Sequence, residues 1–494
     1  MKTKKKYNAI KQSIWVLLFL GSTLIQTGCE DSIEGDVNID PLVGNDIDVN
    51  LLMPQVLLAG FSSTRTIELN QMNSQAQHWS ATAGFGVFVN PERYNIGPNT
   101  VNNTWSGLFT SSLRNLQQIR LLTEANNPSA RNIIGQARIL EAFSFFNATL
   151  IFEDIPFSEA TNVSEFPIPQ FDTQEQVLRG LPALIDLGLA ELQTETDIIS
   201  SADLLFGGDR ESWIRFGNTL KLKILMLIAN VDPASVQGEI QAVANQPLIL
   251  EASQNAVLQF INSPGNENPI WGTLNAFAGG NNLFWGGATT LIDIMNANQD
   301  PRRFIWFDQE EGAFVGQDQG VFSATGISQV SANIIRQDQP DIYANASETN
   351  FLLAEAALRG FITGGSAAAN AFYRAGIQES FNFYGNGVGA IPEVSIPDAD
   401  AQAYLASPQG SIDSDSEADA LRKIHLEHWI SDFTRPVEAW TTWRRNKVPD
   451  LQQPIQAVLP DIIRRYPYSV LEITANPNVP NTAPLETPMW FENE

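Results

Sequence analysis

Three histidines, one cysteine and 55 acidic residues are the side chains of this 494-residue sequence from which catalysis is usually built. His425 and His428 stand three apart on a predicted helix. That spacing lets two imidazoles reach one metal ion, with Glu427 or Asp432 as a further ligand. The order is His-Leu-Glu-His and not the His-Glu-x-x-His of zinc proteases, so two ordinary helix histidines beside Trp429 fit it better. His78 stands apart in a loop rich in aromatic residues. The sequence has no Gly-x-Ser-x-Gly nucleophile elbow. Two placed carboxylates suffice for glycoside hydrolysis, but among 55 acids no pair is singled out. The run Asp413-Ser414-Asp415-Ser416-Glu417-Ala418-Asp419 alternates oxygen ligands as a calcium loop does, yet lacks the glycine and the distal glutamate of an EF-hand. Ser416 reads there as a helix N-cap among solvated acids, with a bound structural cation as the alternative. The expectation is a protein without catalytic residues, metal or cofactor.

Aromatic residues carry the stronger signal. The chain has 11 Trp, 8 Tyr and 28 Phe, while only 17% of its residues are charged. Residues 72–106 place His78, Trp79, Phe85, Phe88, Tyr94 and Trp105 among Asn73, Gln75, Asn90, Asn95 and Asn99. Residues 262–287 place Trp271, Phe277, Phe284 and Trp285 among Asn266, Asn268, Asn275, Asn281 and Asn282. Sugars present apolar C–H faces ringed by hydroxyls. Aromatic rings cover such faces and amides meet the hydroxyls with directional hydrogen bonds. Trp79, Tyr94, Trp271, Asn282 and Trp285 are the predicted ligand-binding residues, against the alternative that these rings are packing. Trp105 runs on toward a helix and is assigned to the core. A peptide would also accept such a surface.

The net charge of −26 excludes nucleic acid as a partner, because phosphate binding needs a dense basic surface. It also excludes electrostatic docking on anionic lipid. A membrane link comes instead from the N-terminus. Lys2, Lys4, Lys5, Lys6 and Lys11 precede the apolar run Ile14–Leu20, which is too short for a permanent span and reads as a secretory signal. Leu24-Ile25-Gln26-Thr27-Gly28-Cys29 resembles a bacterial lipobox, which implies cleavage before Cys29 and lipidation of it. Cys29 is the only cysteine, so no intramolecular disulfide is open to the chain. Residues 1–28 are therefore predicted as a signal peptide. Residues 29–50, with Glu30, Asp31, Glu34 and Asp36, are predicted as an acidic tether, similar to the export signals of surface lipoproteins in Bacteroidetes.

From 51 to 494 a single body is expected. Apolar periodicity predicts helices over 111–125, 131–152, 173–192, 209–230, 290–298, 347–359, 366–383, 416–433 and 437–445. Thr173 with Gln176 forms a capping-box pattern, Pro156 closes the second helix, and Gly360 and Gly385 end two others. Eight of these helices group into pairs near 111–152, 173–230, 347–383 and 416–445. The fold class is mainly α, a tetratricopeptide-like scaffold of helix pairs. Long inserts at 72–106, 251–290, 303–345 and 386–415 are expected as loop excursions that form the ligand-binding face.

Several blocks are similar, in order, to those of the SusD/RagB family. Phe143–Ala160 resembles an aromatic helix running into a Gly-Asp-Val-Pro-Tyr-like turn, with Glu153 where glycine is usual. Residues 213–226, Asp300-Pro301-Arg302, 348–356 and 373–380 follow. Glu438–Arg445, Pro449-Asp450-Leu451, Arg465-Tyr466-Pro467-Tyr468 and Asn476-Pro477 complete the series. The resemblance implies an outer-membrane, surface-exposed lipoprotein that captures oligosaccharide for a SusC-like TonB-dependent transporter. A peptide-binding member of the family and an envelope scaffold without a small ligand are the alternatives.

Overall fold

Apolar periodicity sets where the helices form, and local capping chemistry marks several of their ends. The computed structural model describes residues 47–494, apart from 83–85, 193–195, 280, 281, 283, 324, 391–393, 482, 493 and 494. The side chains of 86–88, 277 and 278 are likewise outside the description. Cys29, the signal peptide and most of the acidic tether therefore lie outside the described residues, as do Phe85, Asn281 and the rings of Phe88 and Phe277.

Eight helices form the scaffold: α1 (Arg114–Asn126), α2 (Arg131–Phe152), α3 (Gln174–Glu191), α4 (Arg210–Ile228), α5 (Ala346–Leu358), α6 (Gly365–Asn386), α7 (Glu417–Ser431) and α8 (Pro436–Asn446). Four begin at a side-chain cap that satisfies an otherwise orphan backbone N–H. Thr173 makes the full capping box with Gln176. Asp209 accepts from Ser212 N at 2.9 Å, Asn345 from Glu348 N at 2.9 Å, and Ser416 from Asp419 N at 3.2 Å. Pro436 opens α8, where a missing N–H costs nothing. Helix α6 loses helical geometry at Tyr384 and Gly385, where the glycine stop was expected.

The pairs α1/α2, α3/α4, α5/α6 and α7/α8 each pack together, and α2 also lies broadly against α3. The protein is mainly α with a tetratricopeptide-like helical fold. Helices α2 and α5 are buried on nearly every face, which accounts for their continuous apolar and small residues.

The expected first helix begins earlier than its apolar pattern. Pro98–Ser106 is already helical and runs through wide π-type turns at Gly107–Leu113 into α1. A second π-type segment, Gln55–Ser62, packs against these turns. A Cβ on Gly107 would stand 2.0 Å from Thr64 Oγ1, and one on Gly60 would stand 2.2 Å from Ser112 Oγ. Glycine is what allows the two backbones to approach.

The inserts are more ordered than loop excursions. Besides Pro98–Ser106 they hold the helices Pro269–Ala278 and Asp398–Ala406 and four short strands. β1 (Trp79–Ala81) pairs antiparallel with β3 (Trp285–Gly287), Trp79 opposite Gly287 and Ala81 opposite Trp285. β2 (Ala256–Leu258) pairs antiparallel with β4 (Asp341–Ala344). The β1–β3 ladder ties the insert near residue 80 to the insert near residue 285.

Candidate functional site

That ladder corrects the expected role of the loop aromatics. Trp79 and Trp285 meet with ring centroids 5.4 Å apart, and each is 2% exposed. Trp79 also packs on Phe433, and Trp285 on Phe284. Tyr94 is equally buried in a turn at φ 68°, and burial pushes its hydroxyl well above the usual tyrosine range. Asn282 donates to the carbonyls of Trp285 and Val330, both at 2.8 Å, and its oxygen accepts from the N–H of Phe284 and Trp285. Its hydrogen-bonding capacity is spent on the turn before β3. Trp79, Tyr94, Asn282 and Trp285 are thus packing and bracing residues, because strand pairing turns the two aromatic loops toward each other and away from solvent. Trp271, half-buried on Pro269–Ala278, keeps part of its ring accessible. Trp105 packs in the core as expected.

Alongside β1 lies an open cleft of about 560 Å³ that the aromatic pattern does not point to. Its wall on one side is the helix Thr289–Ala297, through Thr290, Asp293 and Ile294. Segments 317–319 and 449–455 supply the rest. Gln77 joins the sides. Its amide donates to Gln452 O at 2.5 Å, and its oxygen accepts from Thr290 Oγ1 at 2.6 Å and Gln452 N at 3.2 Å. The Gln317 amide donates to Ser80 Oγ and Ala81 O, and the Gln319 amide to Trp79 O at 2.7 Å. Gly320, at φ 88°, approaches Ile455 so closely that a Cβ would stand 2.3 Å from its carbonyl oxygen.

Glu92 is fully buried and holds the same parts from behind. Its carboxylate accepts from Ala81 N and Gly320 N, each at 2.5 Å, and from Ser80 Oγ at 3.2 Å. Burial pushes its pKa up to about 7, with the three hydrogen bonds opposing the shift.

Toward solvent the cleft presents Asp293, Asp318, Asp450, Gln452 and Gln453, with Arg422 placed 3.4 Å from Asp450. Carboxylates and amides accept and donate to hydroxyl-rich ligands, while Ile294 and Ile455 offer small apolar surfaces. The signals in the sequence were the family-like block Pro449-Asp450-Leu451 and the amide clusters Gln317-Asp318-Gln319 and Gln452-Gln453, none of which marks a cleft by itself. Asn90, Asn95 and Asn99 share a second depression of about 360 Å³ with Pro98 and Thr100.

The two helix histidines separate. His425 Nε2 faces Glu355 at 3.3 Å, and His428 Nε2 faces Asp432 at 3.7 Å. Glu427 points elsewhere, to Arg302 at 2.8 Å and the Tyr404 hydroxyl at 2.5 Å. Glu348, His428 and Asp432 offer ligand atoms within 4.8 Å of one another. Lys223 already contacts Glu348 at 2.7 Å, and Arg435 contacts Glu348 at 2.6 Å and Asp432 at 2.8 Å, so two cations engage this donor set. In the acidic run, Ser416 caps α7 and Asp415 pairs with Lys423 at 2.6 Å. Among the described residues no helix is long and apolar enough to cross a membrane.

Residues 45–469 match a family model described as starch-binding associating with outer membrane. None of the curated protein sequences is detectably similar to the chain. Solved structures share the fold. A chitin-binding SusD homologue from Flavobacterium johnsoniae is 22% identical with a TM-score of 0.73, over 90% of this chain and 98% of that one. A SusD homologue from Bacteroides uniformis is 21% identical with a TM-score of 0.74, over 91% of this chain and 100% of that one. A further chitin-binding protein is 20% identical with a TM-score of 0.75, over 90% and 99%.

Proposed function

The chain belongs to the SusD-like family, and from that premise we propose that it is a cell-surface lipoprotein that captures a neutral oligosaccharide in the cleft beside β1. Cys29 would carry the lipid anchor, and a SusC-like TonB-dependent transporter would receive the ligand. The observation that carries the ligand class is the lining of the cleft. Acids, amides and hydroxyls crowd one open groove whose basic residue, Arg422, already faces Asp450. Such a surface repels sulfated or uronic polysaccharides and meets hydroxyl groups well. The chitin-binding neighbours and the starch-binding description of the family support the same class. No catalysis is part of this reading.

The test is affinity electrophoresis of the chain from Asp31 onward in gels containing starch, chitin oligomers grafted to a soluble carrier, or polygalacturonate. Retardation is expected in a neutral gel and not in polygalacturonate. The double variant Asp293→Ala, Asp318→Ala alters exposed side chains only and is expected to abolish that retardation. Retention by peptides with indifference to every glycan would overturn the reading in favour of peptide cargo. Cleavage of a glycan by the purified chain would overturn its non-enzymatic part.

A further inference from the structure

Solvent exposure singles out a residue that belongs neither to the predicted aromatic set nor to the cleft lining. Among the residues whose side chains are described, Phe304 is the only Phe, Tyr or Trp that stands largely in water, 58% exposed. One apolar side chain in solvent is ordinary. What distinguishes this one is how firmly it is held. Its ring meets Phe314 at 83° with centroids 5.0 Å apart. The Arg303 guanidinium lies 5.2 Å from the Phe304 centroid and 5.5 Å from that of Phe314. That guanidinium is tied down in turn. It donates to Met295 O and Asn296 Oδ1, both at 3.3 Å, and to Gln299 Oε1 at 3.0 Å. The Phe314 carbonyl accepts from Asn296 Nδ2 at 3.0 Å, which fixes the second ring.

These anchors sit at the C-terminal end of the helix Thr289–Ala297, the same helix whose Thr290, Asp293 and Ile294 line the cleft. The segment from Phe314 to Gln317 runs back along that helix to its start, where Thr289 N donates to Gln317 O at 3.0 Å. Between Thr290 and Ala297 the helix rises about 10 Å. The cleft and the ring are thus attached to opposite ends of one helix.

We propose that Phe304 is an aromatic subsite that stacks on a sugar ring of an oligosaccharide whose other end occupies the cleft. The subsite rests on the glycan-capture reading and refines it, since it sets a preference for ligands long enough to span both places. An exposed ring with its orientation already fixed loses little conformational entropy on binding, so the stacking contact is retained as affinity.

Isothermal titration of the mature protein with malto- and chito-oligosaccharides of increasing length tests this. For wild type, affinity is expected to step up once the ligand is long enough to reach Phe304. Phe304→Ala is expected to bind the shortest ligand as wild type does and the long ones about tenfold more weakly, the size of one lost stacking contact. Phe304→Trp is expected to keep the step. Because the ring is largely in solvent, both variants are expected to fold and to melt within a few degrees of wild type, the edge contact with Phe314 being the packing at stake. Equal affinities for Phe304→Ala and wild type at every length overturn the subsite and leave the cleft reading standing. So does a loss shared equally by short and long ligands. Failure of the wild-type protein to bind either series overturns the capture reading itself, and the subsite with it.

Discussion

Glu153 and Glu92 show how much one carboxylate does in this protein. Glu153, which stands where the related family favours glycine, ends α2 at φ 74°, a left-handed conformation that costs a side chain free energy and that glycine adopts freely. Its carboxylate pairs with Arg465, so the ion pair offsets part of the backbone strain. Glu92 is held in a dry position behind the cleft, with its pKa up at about 7 against an ordinary 4.5. A carboxyl raised in the folded state binds its proton there while the unfolded chain has already released it. Glu92 therefore lowers stability progressively as pH rises from 4.5 to 7. Glu92→Gln cannot lose that proton. Its denaturant midpoint is expected to fall less steeply than that of wild type between these pH values, and parallel profiles would refute the assignment.

Helix ends were legible because caps are local chemistry. The Thr173–Gln176 box, the Ser416 cap, and the stops at Pro156 and Gly385 each act within one turn of the residue that carries them. Thr173→Ala removes one acceptor and half of the reciprocal box. It is expected to cost about 1 kcal/mol in urea unfolding, with the fold retained. A change below a few tenths would mean that packing of α3 against α2 alone fixes its start. The wide turns at Gly60 and Gly107 were not legible, because they answer to a neighbouring backbone and not to their own sequence.

Over the whole molecule, charge holds the helix pairs in register. Arg65 contacts Asp341 at 3.2 Å and Glu438 at 3.1 Å. Lys223 joins Glu438 to Glu348, and Arg435 joins Glu348 to Asp432. This chain of ion pairs links α4, β4, α5 and α8 with the turn after α7 and is almost wholly buried. Burial alone would raise the Glu348 carboxyl, but Arg435 and Lys223 hold its pKa down at about 2. Arg435→Met would leave Glu348 and Asp432 short of a buried partner. It is expected to cost about 3–5 kcal/mol in equilibrium unfolding, whereas a loss under 1 kcal/mol would show that the two acids take up protons without strain.

Sequence alone determined the helical class, the order of the helix pairs and most helix boundaries, together with the expectation of a lipid-anchored, acidic binding protein. The helical class, pairing and boundaries come from periodicity and caps and the acidity from composition, while the anchor and the binding role come from resemblance to a lipobox and to a known family. Tertiary structure alone decided which aromatic rings reach solvent. Trp79 and Trp285 lie more than two hundred positions apart, and only the β1–β3 ladder turns them inward against each other. The same ladder brings Gln77, Gln317 and Gln452 to one cleft, while Phe304 is left standing in water beyond it. Burial is a property of what the rest of the chain places over a side chain, and no local pattern of residues contains it.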